Sequence, residues 1–158
     1  MFGFTEGKTE HSDQMLAEMI GIQEELYSGL GLHYKILDMA TEELGAAAYR
    51  KYDIEAWFPS KGGFGEISSA SNCTSYQSKR LNISYFDAGN ERKLVHTVNG
   101  TALAVPRIIM AILENYWNED KKRVEMPEVL KPYLPFEYIG QRRQSIVLSG
   151  HQQQQQVN

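Results

Sequence analysis

Cysteine is nearly absent from this 158-residue sequence: Cys73 is the only one. No disulfide can form within the chain, a cysteine-rich zinc site is excluded, and the composition suits a reducing compartment. The four histidines (His11, His33, His96 and His151) lack the close spacing of metal-binding signatures. Excess basic charge is lacking too. The formal net charge is −4 and the pI about 5.6, which excludes a wholly cationic surface for nucleic acid but leaves room for a local patch. The longest apolar run, Ala102 to Leu113, contains Arg107 and is too short to span a bilayer. No signal or transit peptide pattern opens the chain, because Met1 leads straight into Phe2-Gly3-Phe4, which reads as a strand.

With 42% hydrophobic residues, the chain has enough apolar material for one globular domain. A chain of this size should bury roughly 70% of the surface its unfolded form exposes. Thr9 to Leu30 reads as an amphipathic helix, with Met15, Leu16, Met19, Ile20, Gln23, Leu26 and Tyr27 at helical recurrence and Gly29 and Gly31 at its end. A strand over His33 to Met39 follows. Thr41 with Glu42 and Glu43 then reads as a helix start leading into a short alanine-rich helix over Leu44 to Tyr49. Asp53 to Phe58 and Phe64 to Ala70 alternate as two strands of a hairpin turned at Lys61-Gly62-Gly63. Two more strands are expected over Leu81 to Phe86 and Leu94 to Val98. A helix from Leu103 to about Trp117, apolar on nearly every side, is expected to be buried. After Gly140 the sequence runs into Gln152 to Gln156, so residues 141–158 read as a disordered, Gln-rich tail. The order of elements predicts an α+β fold: a mainly antiparallel sheet backed by helices.

Three clusters could carry chemistry. In Glu66-Ile67-Ser68-Ser69 a carboxylate lies near two hydroxyls on a strand. Such a set can hold a hard cation such as magnesium, or can be a polar, half-exposed strand face. In His96 to Arg107 a strand ends at Asn99, Gly100 and Thr101 and a helix begins. Arg107 there can grip phosphate, or can hold the helix start in an ion pair. Asp53 and Glu55, two apart on one strand face, could serve acid–base work but read more simply as solvated charges.

The first two clusters carry a resemblance. Glu66 to Thr74, with Tyr76-Gln77-Ser78-Lys79-Arg80 behind, resembles the signature strand of seryl-tRNA synthetases. His96 to Ala104, with Arg107, resembles the third motif of class II aminoacyl-tRNA synthetases. Leu44 to Ala48, Tyr52 to Trp57 and Pro127 to Leu130 are similar to further runs of that family. The resemblance implies that residues 1–140 form the C-terminal half of a class II catalytic domain. It implies that Glu66 and Ser69 hold ATP through Mg2+, with Ile67 and Ser68 completing the ATP-binding segment, that Arg107 contacts ATP, and that Asn99 and Thr101 contact serine. Glu66 and Arg107 would be the catalytic pair. The reaction implied is activation of serine by ATP and its transfer to tRNA(Ser), by a homodimer.

Two features depart from the family pattern. Ala102 and Pro106 stand in a motif that usually carries more glycine, a flavour similar to the mitochondrial kind, so the mitochondrial matrix is the expected location and the cytoplasm the alternative. The tRNA-binding arm, the dimer-forming first motif and the arginine motif that precede these residues in the family are not in the chain, which is therefore expected to be inactive by itself. A non-catalytic relative acting as an interaction module is the competing reading. One geometric demand also follows. Strict strand alternation puts Glu66 and Ser69 on opposite faces, so a shared role requires a bulge between them.

Overall fold

The alternation from Arg50 to Asn72 has only one low-energy outcome, two long antiparallel strands with one face dry. In the computed structural model, which describes residues 1–140, these are β3 (Arg50–Phe58) and β4 (Gly63–Asn72). The expected disordered tail, 141–158, and His151 lie outside the described residues. With β1 (Phe2–Thr5), β2 (Tyr34–Asp38) and β7 (His96–Gly100) they form a five-stranded sheet in the order β1-β7-β4-β3-β2, every neighbour antiparallel. A small side unit is built from α2 (Tyr76–Leu81), β5 (Ser84–Phe86) and β6 (Arg92–Leu94). The chain closes with α3 (Val105–Asn115), β8 (Trp117–Asn118), β9 (Arg123–Glu125) and β10 (Tyr138–Gly140). The mainly antiparallel sheet backed by helices is as the sequence predicts.

The two long helices pack on one face of the sheet. From α1 (Thr9–Gly29), Tyr27 joins Ile54, Ala56, Phe58 and Ile67 of the hairpin and Ile108, Ala111 and Ile112 of α3 in one core. Leu16, Met19 and Ile20 of α1 meet Ala70 and Val98 in a second. The helix ends where expected: Gly31 takes a positive φ of 65°, which a side chain would resist, and a Cβ there would lie 2.6 Å from the Tyr116 hydroxyl. The other sheet face carries Asn99, Ser71, Ser69, Asp53, Glu55 and Glu66. Among the described residues α1 and α3 leave it open, and α2 meets it only at the β7 end, where Thr97 Oγ1 donates to Gln77 Oε1 at 2.7 Å.

Four expectations need correction. Leu44 to Tyr49 is not a helix. Only one 3-10 turn, Thr41–Glu43, forms, Leu44 is extended (ψ 130°), and the Tyr49 amide already bonds Asn72 O at 2.8 Å. Pairing with β4 wins over the modest helix preference of three alanines beside Gly45. The strand expected from Leu81 starts late, because Tyr76–Leu81 is the helix α2, closed by Asn82 at φ 56°. The segment Leu94 to Val98 is split at Val95 between two sheets. Finally, α3 is not buried on all sides: Ile108, Ala111 and Ile112 are, but Val105, Ile109, Met110 and Leu113 face out. Only the inward third of the helix meets the sheet, and composition alone does not reveal which faces find partners.

Candidate functional site

The site is built on an irregularity in β4. Pairing with β3 slips between Ile54, which faces Ser68, and Glu55, which faces Glu66, leaving Ile67 without an opposite number. This extra residue is a β-bulge, and it breaks the strand's alternation once. Ile67 and Ser68 are therefore consecutive and both buried, at 0% and 2% exposure. Glu66 before them and Ser69 after them now open on the same face. The bulge that a shared role for Glu66 and Ser69 requires is thus present. The Ile67 and Ser68 side chains point into the helix-covered side, so only their backbone reaches the open face.

The second part comes from β7. It pairs with β4 only as far as Ala70, and Thr101 N to Ser69 O, 3.0 Å, is the last bond between the two segments. The chain then runs through Ala102 to Ala104 into α3, where Pro106 sits in the first turn, the one place a helix tolerates it. Arg107 lies in that first turn and reaches Glu66. Its Nη1 is 3.0 Å from Glu66 Oε1 and donates to the Glu66 backbone oxygen at 3.3 Å. Both side chains remain substantially exposed, 50% for Arg107 and 39% for Glu66.

Asn99 stands on the same sheet face, opposite Ser71. Its Nδ2 donates to Cys73 Sγ at 3.5 Å, and burial pushes the Cys73 thiol up, against that hydrogen bond. Asn99, Ser71, Cys73, Gln77 and Lys51 line an open hollow of about 380 Å³ beside Gly45 to Ala48. Ser71 and Gln77 lie in the runs that carry the resemblance but, like Lys51, were not named as site residues. Strand alternation with Ser69 and Asp53 could have indicated Ser71 and Lys51, whereas Gln77 lies on α2 and only the fold brings it there. Thr101, half a turn of chain beyond, is exposed and outside regular structure. Asp53 and Glu55 share the face but not as solvated carboxylates: Asp53 is buried and bonded by Lys51 Nζ at 2.8 Å, and Glu55 pairs with Lys35 at 2.9 Å. Each already has its cation, which leaves them poorly placed for acid–base work.

An antiparallel sheet with one open polar face, a carboxylate and an arginine meeting over it, and a strand-to-helix joint beside them define a recognisable class. The family model "tRNA synthetase class II core domain (G, H, P, S and T)" matches residues 3–116, and the chain belongs to that family. Among its relatives, the mitochondrial serine–tRNA ligase of Bos taurus is 47% identical over 151 residues, covering 89% of this chain and 29% of that protein. The serine–tRNA ligase of Rubrobacter xylanophilus is 49% identical over 143 residues, 90% of this chain and 33% of that one. Seryl-tRNA synthetase from Pyrococcus horikoshii, crystallised with ATP, superposes with a TM-score of 0.83 at 42% identity, covering 89% of this chain and 31% of that one. The chain thus spans about a third of the length of the relatives it matches.

Proposed function

We propose that residues 1–140 are the C-terminal half of the catalytic domain of a serine–tRNA ligase, which joins serine to ATP as seryl-adenylate, releasing pyrophosphate, and then passes the seryl group to tRNA(Ser), releasing AMP. The observation that carries this reading is the meeting of Glu66 and Arg107 at 3.0 Å on the face that also bears Ser69. One polyphosphate can lie across both groups, with the guanidinium fork on its oxygens. A carboxylate and a hydroxyl on one open face fit the oxygen-ligand preference of Mg2+, which commonly takes one or two carboxylates and fills its shell with phosphate oxygens and water. Bound there with ATP, Mg2+ would neutralise phosphate charge. Glu66 and Ser69 would hold the nucleotide in place, the backbone of Ile67 and Ser68 would line its path, and Arg107 would orient it. Asn99 and Thr101 would receive serine beside it, so catalysis rests on positioning and charge neutralisation. The solved relatives' complexes, with ATP in the Pyrococcus horikoshii enzyme and AMP in the Naegleria fowleri one, support a nucleotide on this fold.

The partners that follow are serine, ATP and tRNA(Ser), with homodimerisation as the family resemblance implies. A mitochondrial location is supported by the bovine and mouse relatives, while equally similar bacterial enzymes keep the cytoplasm as the alternative. Amino-acid-dependent ATP–pyrophosphate exchange tests the activity. It is measured on a polypeptide carrying these residues within the full frame of its relatives, with glycine, histidine, proline, serine and threonine supplied separately. Exchange with serine alone is expected; exchange with another of the five, or with none, overturns the assignment.

A further inference from the structure

We propose that Gln23 and Tyr27 of α1 form a clamp behind the sheet that positions Thr101, making them positioning residues for serine, an inference that rests on the ligase reading above. They lie one helical turn apart on the inward stripe of α1, and both are 0% exposed. Gln23 Nε2 shares its two hydrogens among three acceptors, Thr101 O at 2.7 Å, Ser69 O at 3.1 Å and Ser68 Oγ at 3.0 Å. Tyr27 OH donates to Ala102 O at 2.8 Å. The Ser68 hydroxyl in turn donates to Thr101 O.

Residues 101–104 join β7 to α3 without regular structure, and past the Thr101 N to Ser69 O bond no strand pairing fixes their backbone. The carbonyls of Thr101 and Ala102 instead take consecutive donors from one rigid helix. The same Gln23 amide also ties Ser69, so a single side chain sets the spacing between the candidate serine contact and the bulge that presents the candidate ATP contacts. The orientation of the amide is fixed, because turning it over would aim Oε1 at two carbonyl oxygens. In the orientation adopted, Oε1 is buried without a partner. An unpartnered buried oxygen opposes stability, and both carbonyls keep another donor, Thr101 N for Ser69 O and Ser68 Oγ for Thr101 O. Gln23 is therefore a weak stabiliser compared with leucine, and its effect is geometric.

Two variants test the clamp, Gln23→Leu and Tyr27→Phe, by two readouts. In the 158-residue chain, hydrogen exchange of the Thr101 amide is expected to speed up about two- to tenfold, the worth of one net hydrogen bond, while amides of β3 keep their rates. In the complete ligase, the KM for serine is expected to rise about three- to tenfold, with the KM for ATP within about twofold of wild type. Unchanged Thr101 exchange in both variants, or serine and ATP constants moving together, overturns the proposal. Should Gln23→Leu fail to fold, Tyr27→Phe, which removes one hydroxyl and no packing, decides it alone. A wild-type protein that activates no serine would refute the ligase reading, while the exchange rates would still decide the clamp.

Discussion

Arg107 and Glu66 stand 41 residues apart in the chain and touch twice, the guanidinium meeting both the carboxylate and the backbone oxygen of Glu66. Exposed ion pairs of this kind contribute about 0–1 kcal/mol to folding. Neither residue is required to hold the fold, since Ile67, Ile108, Ala111 and Ile112 make the contact between β4 and α3 without them. What the pair does is keep two opposite charges at one point on an open sheet face, the point that the proposed ATP site would use.

Replacing Arg107 by lysine keeps the charge and removes the planar fork. In the complete ligase, Arg107→Lys is expected to raise the KM for ATP about tenfold or more with serine saturating, because an ammonium cannot repeat bidentate or stacked contacts. Thermal unfolding should stay close to wild type, as for surface changes worth within about 0.5 kcal/mol. ATP constants equal to those of the wild type would reduce the pair to a helix-start contact.

Thr101→Ala is expected to act on the other substrate. A site that pairs a substrate hydroxyl can reject an analogue without it by about 10⁴–10⁵-fold, and removal of one pairing group should lose about tenfold or more of that preference. The measurement is kcat/KM for serine against alanine in wild type and variant. Equal discrimination in the two proteins would take Thr101 out of the serine pocket.

Much of this was legible in the sequence, and the reasons differ by residue. The hairpin and α1 follow from periodicity, which burial enforces along the whole element. The bulge at Ile67 could be foreseen from a conflict, since Glu66 and Ser69 cannot share a face in a regular strand. The outward face of α3 could not be foreseen, because Ile109 and Met110 are as apolar as Ile108 and Ile112 and only the packed structure says which of them meet the sheet. Leu44 to Tyr49 failed for a related reason: a pairing with Asn72, more than twenty residues away, outweighs local preference. Gln23 was visible only as one member of an inward stripe. Its three acceptors come from segments that the sequence places far from it, and only the fold brings them together.

A pH dependence follows from His96. Burial, opposed by the nearby Asp13 charge, lowers its pKa, and Nδ1 lies 3.1 Å from the Ser12 hydroxyl. The unfolded chain then binds the proton first, near pH 6.5. Stability from this group is complete above that value and is lost as pH falls through it towards the folded pKa. Asp38, held down chiefly by its hydrogen bond to Arg50, acts only in the more acidic carboxylate range. Urea midpoints should therefore fall between pH 7.5 and 5.5 in the wild type, and the fall should be smaller in His96→Asn, whose amide can still meet Ser12. An identical fall in both proteins would assign the effect elsewhere.

The last expectation concerns residues 1–158 by themselves. The outer side of α3 carries Val105, Ile109, Met110 and Leu113, exposed by 61%, 51%, 46% and 38%, with Trp117 just beyond at 47%. At the β1 edge of the sheet, β1 pairs among the described residues with β7 alone and carries Phe2 and Phe4, each more than half exposed. An apolar helix face and an unpaired strand edge are the two surfaces through which folded chains most readily associate. The chain alone is therefore expected to self-associate as concentration rises, with mass measured by light scattering across a dilution series. Two contributions can be separated by substitution. Ile109→Lys with Met110→Glu places charges on side chains that already face solvent, so the fold should persist while association through α3 is lost. Phe4→Lys does the same at the strand edge. If the helix variant is monomeric and the strand variant is not, α3 is the adhesive face; the reverse result assigns it to β1. A wild-type chain that stays monomeric over the whole series would show that neither surface is sticky enough to matter.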